Sequence, residues 1–251
     1  MNSEQGPTSA RTILVVPCFN EAARWKPEYW DEISESGKIE LLFVNDGSSD
    51  ATAQAIQLAC DVMGSQMVNL STNVGKGEAL RAGLTRAIEM APGMVGYLDA
   101  DGAFPAAEVI RLEHLAADMV LPDHSEYDAI WSSRILLAGR DIKRRPSRHY
   151  IGRAVATAVA PIHRYGVYDT QSGFKIFRCD HRIGACVVSP LKTRWFPDIE
   201  LLMRWEPNAG SPMRIWEEPV TGWHDVAGSK MNRSQYSRLV RDFAHLYRSR
   251  A

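Results

Sequence analysis

Val95-Gly-Tyr-Leu-Asp-Ala-Asp101 is the stretch that decides the fold. A short apolar run stops abruptly at two carboxylates one residue apart, as when a strand buried on both faces breaks into a loop at its carboxyl end. Acids at that spacing can hold a hard divalent ion against a diphosphate. A strand end rich in Asp, Gly and Ser is where an open α/β sheet takes its ligand, and a second one, Val44-Asn-Asp-Gly-Ser-Ser-Asp50, lies upstream. The two turns together imply an enzyme that uses a nucleotide-activated substrate.

Outward from this stretch the chain alternates strand and helix. Thr12-Ile-Leu-Val-Val16 is stopped by Pro17, and Glu40-Leu-Leu-Phe-Val44 by Asn45-Asp46. Apolar residues at helical spacing run from Ala51 to Met63 and from Gly77 to Met90, with a short strand at Gln66 to Leu70 between them. This order predicts parallel pairing with right-handed crossovers. Past Asp101, Pro105 opens a helix that reaches Met119. Tyr127 to Ser132 reads as a strand, followed by a basic loop, Arg134 to Arg148. Then come a helix centred on Ala154 to Val159, a strand at Phe174 to Phe177, a helix from Asp198 to Trp205 and a strand from Met213 to Glu217. Residues 1–10 read as a loose tail and 232–251 as a basic amphipathic helix. Residues 11–231 are expected to form one domain, with a nucleotide half (11–103) and an acceptor half (104–231).

Composition narrows the function. The 251 residues carry 29 basic and 30 acidic side chains, so no global field attracts nucleic acid and none is expected as a partner. Cys18, Cys60, Cys179 and Cys186 are scattered without a CxxC pair, which argues against zinc or a disulfide framework and fits thiols in a reducing cytosol. The longest apolar stretch, Ala154 to Ile162, is far short of a membrane span, so a soluble or peripheral protein is expected.

Several motifs carry chemistry. In Pro17-Cys-Phe-Asn-Glu21, Phe19 can offer a face to a base and Glu21 a carboxylate to a ribose, although Asn20 could equally cap an ordinary turn. Asp46 can accept the imide N–H of uracil, while Ser49 or Asp50 caps the helix that follows. Asn73-Val-Gly-Lys-Gly77 precedes a helix, so Gly75 brings backbone close to a phosphate or ribose and Lys76 adds charge. It is neither a Walker A loop nor GxGxxG.

Taken in order, these motifs resemble the family 2 glycosyltransferases of GT-A fold, an α/β Rossmann-like single domain whose mostly parallel central sheet is flanked by helices. Four later blocks narrow the resemblance to the dolichyl-phosphate and polyprenyl-phosphate glucosyltransferase branch. They are Ser133-Arg134, Asp169-Thr-Gln-Ser-Gly-Phe-Lys175, Trp195-Phe-Pro-Asp-Ile-Glu-Leu-Leu202 and Gly222-Trp-His-Asp-Val-Ala-Gly-Ser-Lys230. The resemblance implies inverting hexosyl transfer from a nucleotide sugar, UDP-glucose being favoured, with Mg²⁺ or Mn²⁺ as cofactor. By position, Phe19 and Asp46 would recognise uracil, with Pro17, Asn20, Gly75, Lys76 and Ala100 lining the donor pocket. Glu21 and Asp99 would lie near the ribose. Asp101 would ligate the metal, with Asp99 and His224 as further ligands. Asp198 is the first candidate base and Asp169 the second. An acceptor phosphate, already ionised, would need little base catalysis, and Asp198 would then position it. Arg134, Gln171, Lys175, Trp223 and Lys230 would bind the acceptor, either a lipid phosphate reached by peripheral membrane contact or a soluble small molecule or peptide.

Two other classes fit less well. Aspartate-nucleophile phosphatases also end an apolar strand in DxD, but on the first strand and with a paired acidic motif later, whereas here the motif follows three strands. A non-catalytic nucleotide-sugar-binding module remains a reading that only turnover excludes.

Overall fold

β1 (Thr12–Cys18) and β2 (Ile39–Asp46) are buried along almost their whole length, which is why they read as unbroken apolar runs. Alternation along β1 sends Leu14 and Val16 into one core and Ile13 and Val15 into another, so the sheet needs cover on both faces. The structure, a computed structural model, describes residues 11–118, 127–143, 155–161, 165–226 and 233–249, with the backbone alone at 118 and 233–240.

The elements follow one another as expected through the first half. A 3₁₀ turn (Ala22–Arg24) and α1 (Pro27–Ser34) join β1 to β2, and α2 (Thr52–Met63) leads to β3 (Gln66–Leu70). α3 (Lys76–Glu89) then leads to β4 (Met94–Leu98). The second half contains α4 (Ala106–Asp118), β5 (Ala129–Ser133), β6 (Asp141–Lys143) and a helix over 155–161 (α5). β7 (Phe174–Arg178), α6 (His181–Val187), α7 (Pro197–Ala209), β8 (Ile215–Pro219), β9 (Gly222–His224) and α8 (Arg233–Ser249) complete it.

One seven-stranded sheet runs in the order β3-β2-β1-β4-β7-β5-β8. β1 pairs parallel to β2 and β4, β2 to β3, and β5 to β8. β7 is antiparallel to both of its neighbours, β4 and β5. That insertion aligns Leu98 with Phe174 and Tyr97 with Lys175, bringing the loop before β7 beside the acidic loop after β4. One face of the sheet packs on α1, α2 and α4, where Trp30 meets Phe43 edge-on with ring centroids 5.3 Å apart. The other face packs on α3, α6 and α7 through Leu80, Leu84, Ile183, Leu201 and Trp205.

Several expectations need adjusting. β8 starts two residues later than expected because the N–H of Arg214 is captured by the Asp128 carboxylate at 2.7 Å and leaves the ladder. α7 continues past Trp205, through Pro207, to a left-handed Gly210. The basic loop contains β6, which pairs with β9 as a separate two-stranded ribbon. Asp50 rather than Ser49 serves the start of α2, accepting the Thr52 N–H at 3.0 Å. All four cysteines are free thiols. Among the described residues no helix is long and apolar enough to cross a membrane.

The turn after β2 depends on a glycine. Gly47 has φ +60°, and a Cβ there would strike the backbone of Thr72 and come within 2.5 Å of the Asn73 nitrogen. Neither atom belongs to a flexible side-chain tip. Gly47→Ala is therefore expected to cost about 2–3 kcal/mol, the upper part of the usual range for a strained backbone position, measured as a lower denaturant midpoint.

Candidate active site

The carboxyl ends of β1, β2 and β4 lie side by side in the sheet, so the loops that leave them share one edge. The loop after β1 is stitched to the loop after β2. Asn20, at φ +54°, accepts the Ser49 N–H at 2.9 Å and donates its own N–H to Ser48 Oγ at 3.1 Å. The Thr52 hydroxyl oxygen accepts the Glu21 N–H at 2.7 Å. Glu21 is buried, and Arg24 grips both of its carboxylate oxygens, one at 2.5 Å. Phe19 stands exposed and Pro17 half-buried at the end of β1.

Asp46 is 2% exposed and holds the loop ahead of α3. Its carboxylate accepts the Val74 N–H at 2.7 Å, the Gly75 N–H at 2.9 Å and the Asn73 amide at 2.8 Å. Three donors occupy most of the roughly four lone-pair positions of a carboxylate. Burial pushes Asp46 upward, and the Val74 and Gly75 N–H groups pull it back.

The acidic pair after β4 sits at the centre. Lys76, in the first turn of α3, places its ammonium 2.5 Å from Asp99 Oδ1. Asp101 accepts the Ala103 N–H at 3.1 Å. Burial, and then the neighbouring charge of Asp99, push the Asp101 carboxyl above its usual range, while Arg24 and Lys76 act in the other direction. Ala100 lies between the two acids, half-buried. Gly173 explains why the Ser-Gly-Phe block lies alongside: a Cβ there would collide with the Asp99 carboxylate, and Gly173 also accepts the Asp99 N–H at 2.9 Å.

The second half supplies the remaining groups. Lys175 on β7 is 1% exposed and reaches Ser172 O at 2.5 Å and Asp198 Oδ1 at 2.9 Å, with its ammonium 4.5 Å from the Trp131 ring centroid. Burial pushes that ammonium well below the usual lysine range. Asp198, in the first turn of α7, is itself buried, and burial pushes its carboxyl up to about 7 against the pull of Lys76. Asp169 is occupied differently. Both its oxygens take the Arg134 guanidinium at 2.7 Å and one takes the Arg134 N–H at 3.0 Å, while Glu217 accepts the Asp169 N–H at 2.7 Å. The Arg134 guanidinium lies 5.2 Å from the centroid of the Trp223 ring. The Gln171 amide nitrogen is buried without a hydrogen-bond partner among the described residues.

Asp99, Asp101, Lys76, Asp198, Lys175, Arg134 and Asp169 thus form one electrostatic cluster across the two halves. His224 is engaged elsewhere. Its ring nitrogen lies 2.9 Å from Asp141 Oδ2 on the β6–β9 ribbon, and only its main-chain N–H touches the acidic loop, at Ala103 O. Lys230 and the basic residues flanking α5 lie outside the described residues. Arg24 and Arg194 were not expected in the site, because a lone basic residue in a loop reads as solvated. The spacing Glu21-x-x-Arg24 on a turn was the available signal for the first.

Among the described residues no three His, Cys, Asp or Glu side chains gather into a ready-made metal site. The residues present nevertheless suit a hard cation. Among the described residues Asp99 Oδ1 meets the Lys76 ammonium at 2.5 Å, a cation already held where a metal ion would sit, and beside it Asp101 adds a second carboxylate. Mg²⁺-type ions are typically held by one or two carboxylates plus substrate phosphate oxygens, not by an all-protein cage.

Comparison with known proteins agrees with this geometry. Residues 13–128 match the model for glycosyl transferase family 2. A dolichyl-phosphate beta-glucosyltransferase of Trichomonas vaginalis, ALG5C, is 28% identical over 252 residues, covering 96% of this chain and 72% of that protein. The dolichyl-phosphate beta-glucosyltransferase of Saccharomyces cerevisiae is 28% identical over 253 residues, covering 92% and 72%. In structure, the chain resembles glucosyl-3-phosphoglycerate synthase of Mycobacterium tuberculosis, crystallised with Mn²⁺, UDP and glucosyl-3-phosphoglycerate. That match has a TM-score of 0.65 at 17% identity and covers 96% of this chain and 80% of the other. With the sheet order, the acidic loop and these matches in agreement, the chain is a glycosyltransferase of GT-A fold whose residues 13–128 match the glycosyl transferase family 2 domain.

Proposed function

We propose that this glycosyltransferase moves glucose from UDP-glucose, with inversion, to an acceptor that carries a phosphate, a polyprenyl phosphate being the first choice. The observation that carries the reading is the convergence of the Asp99–Asp101 pair and Lys76 with the buried Lys175–Asp198 pair at one end of the sheet. The names of the full-length relatives support glucose and a lipid phosphate, and the Mn²⁺ and UDP of the structural neighbour support the metal and the nucleotide.

A Mg²⁺ or Mn²⁺ ion held by Asp99 and Asp101 would neutralise charge on the leaving nucleoside diphosphate. Lys76, at the N-terminus of α3, adds positive charge where that diphosphate lies. Phe19, Glu21 and the Asp46-held loop border the nucleoside. Asp198, poised near neutrality, positions a phosphate that attacks already ionised and takes the proton where the attacking group is a hydroxyl, and Lys175 fixes the direction of its carboxylate. Asp169 is the weaker candidate base, because the Arg134 fork already occupies both oxygens. Arg134, Gln171 and Trp223 border the acceptor side, where the Gln171 N–H has a donor to spare. A lipid acceptor requires contact with a membrane surface, for which Arg241 and Arg248, exposed on α8, offer basic charge.

The test is turnover by the purified chain with Mn²⁺ and a panel of UDP- and GDP-sugars. Acceptors are polyprenyl phosphate, a soluble phosphorylated acid or none, and products are read by mass spectrometry. Glucosyl polyprenyl phosphate, formed with UDP-glucose and lost on adding a chelator, is the expected result. Nucleotide release that ignores every acceptor, or transfer that persists undiminished in excess chelator, would overturn this reading.

A further inference from the structure

Arg194 occupies an odd position for an unassigned surface residue. It precedes Trp195 in the loop leading to α7, yet its side chain crosses to the donor half. A Cβ on Gly75 would come within 2.8 Å of the Arg194 guanidinium carbon and 2.9 Å of its Nε. A guanidinium nitrogen donates to the Asn73 side-chain oxygen, and the Asn73 amide nitrogen in turn donates to Asp46 at 2.8 Å. Gly75 caps α3, and Lys76 follows it. Two cations at the positive end of a helix repel each other and the helix dipole. The Asp46 and Asp99 carboxylates offset part of that cost, and an anion at the helix end would turn the rest into attraction. Among the described residues the guanidinium makes one hydrogen bond, so most of its five donors are uncommitted.

The loop carrying Arg194 is held from the far end of the chain. Asp242 of α8 is 9% exposed, and one of its oxygens accepts both the Arg194 N–H at 2.7 Å and the Trp195 N–H at 2.9 Å. α8 is seated by Leu246 and Phe243, which join Phe196 and Ile199 in a small third core. A continuous chain of polar contacts therefore runs from α8 through Arg194 and Asn73 to Asp46.

We propose that Arg194 is a donor-binding residue, giving guanidinium N–H groups to the nucleoside diphosphate at the N-terminus of α3, and that Asp242 is the positioning residue that holds it there. The proposal rests on the nucleotide-sugar reading of the site. It makes α8 a working part of the donor pocket, so loosening of that helix is felt as weaker donor binding.

Titration calorimetry of UDP with Mn²⁺ against the full chain, with GDP in parallel, tests it. Arg194→Ala is expected to weaken UDP binding about tenfold, the usual scale for a lost charged hydrogen bond. Asp242→Ala should weaken it to a similar extent, and the double variant no further than Arg194→Ala alone. Asp242→Asn should bind nearly as the parent does, because a single oxygen takes both bonds. Tyr247→Phe removes another tether of α8, the hydroxyl bond to Ala158 O at 3.2 Å, and should leave UDP binding within twofold. A parent chain that binds no nucleotide would sink the function proposed above. A parent that binds UDP while Arg194→Ala binds it equally well overturns the role given to Arg194. Additive losses in the double variant, or an Asp242→Ala chain that fails to fold, overturn the positioning role of Asp242 in favour of a structural one.

Discussion

Asp101→Asn is expected to lower kcat for sugar transfer about a thousandfold while leaving the protein as stable as before, or more so, in metal-free buffer at pH 8. The activity loss follows from the chemistry of the leaving group. A departing diphosphate needs its charge neutralised, and a metal ion supplies several kcal/mol of that stabilisation, of which about 4 kcal/mol corresponds to a thousandfold. Asn keeps the shape and one oxygen but loses the charge. The stability argument has the opposite sign. Burial and the charge of Asp99 raise the Asp101 carboxyl in the folded chain, so the fold pays for its ionisation above the unfolded value of 3.8. Removing the charge relieves that penalty at pH 8, and the relief fades as pH falls toward 3.8. Thermal unfolding of parent and variant at pH 8 and pH 4, beside donor turnover at pH 8, reads both. A variant that loses activity together with stability at pH 8 would mean that Asp101 holds the loop and does not hold a cation.

The part of the site most open to sequence reading was the part that the sheet positions directly. β1, β2 and β4 are covered on both faces, so each is a continuous apolar run whose stop marks a carboxyl end. Parallel neighbours joined through helices put those ends together, so Glu21, Asp46, Asp99 and Asp101 could be placed on one edge. What was not legible depended on partners distant in sequence. Phe174 to Phe177 read correctly as a strand, but nothing in those residues says that it inserts antiparallel between β4 and β5. That insertion carries Lys175 under the sheet to meet Asp198, whereas the sequence suggested a phosphate ligand. β6 and β9 are three residues each, too short for a period to show, and their pairing turns His224 toward Asp141. Arg194 and Asp242 are separated by 48 residues, and only the seating of α8 shows that one serves the other.

Asp198→Asn tests the proton-transfer half of the proposal and, after Asp101→Asn, has the largest expected effect. With a hydroxyl acceptor, whose proton must be removed, a positioned base contributes about 10²- to 10⁴-fold, so kcat is expected to fall at least a hundredfold at pH 8. The pH profile gives the more selective reading. Only ionised Asp198 can accept a proton, and burial pushes its carboxyl up to about 7, so kcat/KM of the parent should fall tenfold per pH unit below that value. The groups facing it are Lys76 from α3 and Lys175 from β7. An ionised Lys76 favours the carboxylate, and so moves the limb to lower pH. In Asp198→Asn this acid limb should vanish, leaving a slow rate that is flat from pH 6 to 8. Asp169→Asn breaks the Arg134 fork and should weaken acceptor binding, yet keep the acid limb where it was. If the limb disappears in Asp169→Asn and survives in Asp198→Asn, the two carboxylates exchange roles. If Asp198→Asn slows transfer to a hydroxyl acceptor but not to a phosphate, the carboxylate positions an acceptor that arrives already ionised, and the buried Lys175 matters for the direction of that carboxylate more than for its basicity.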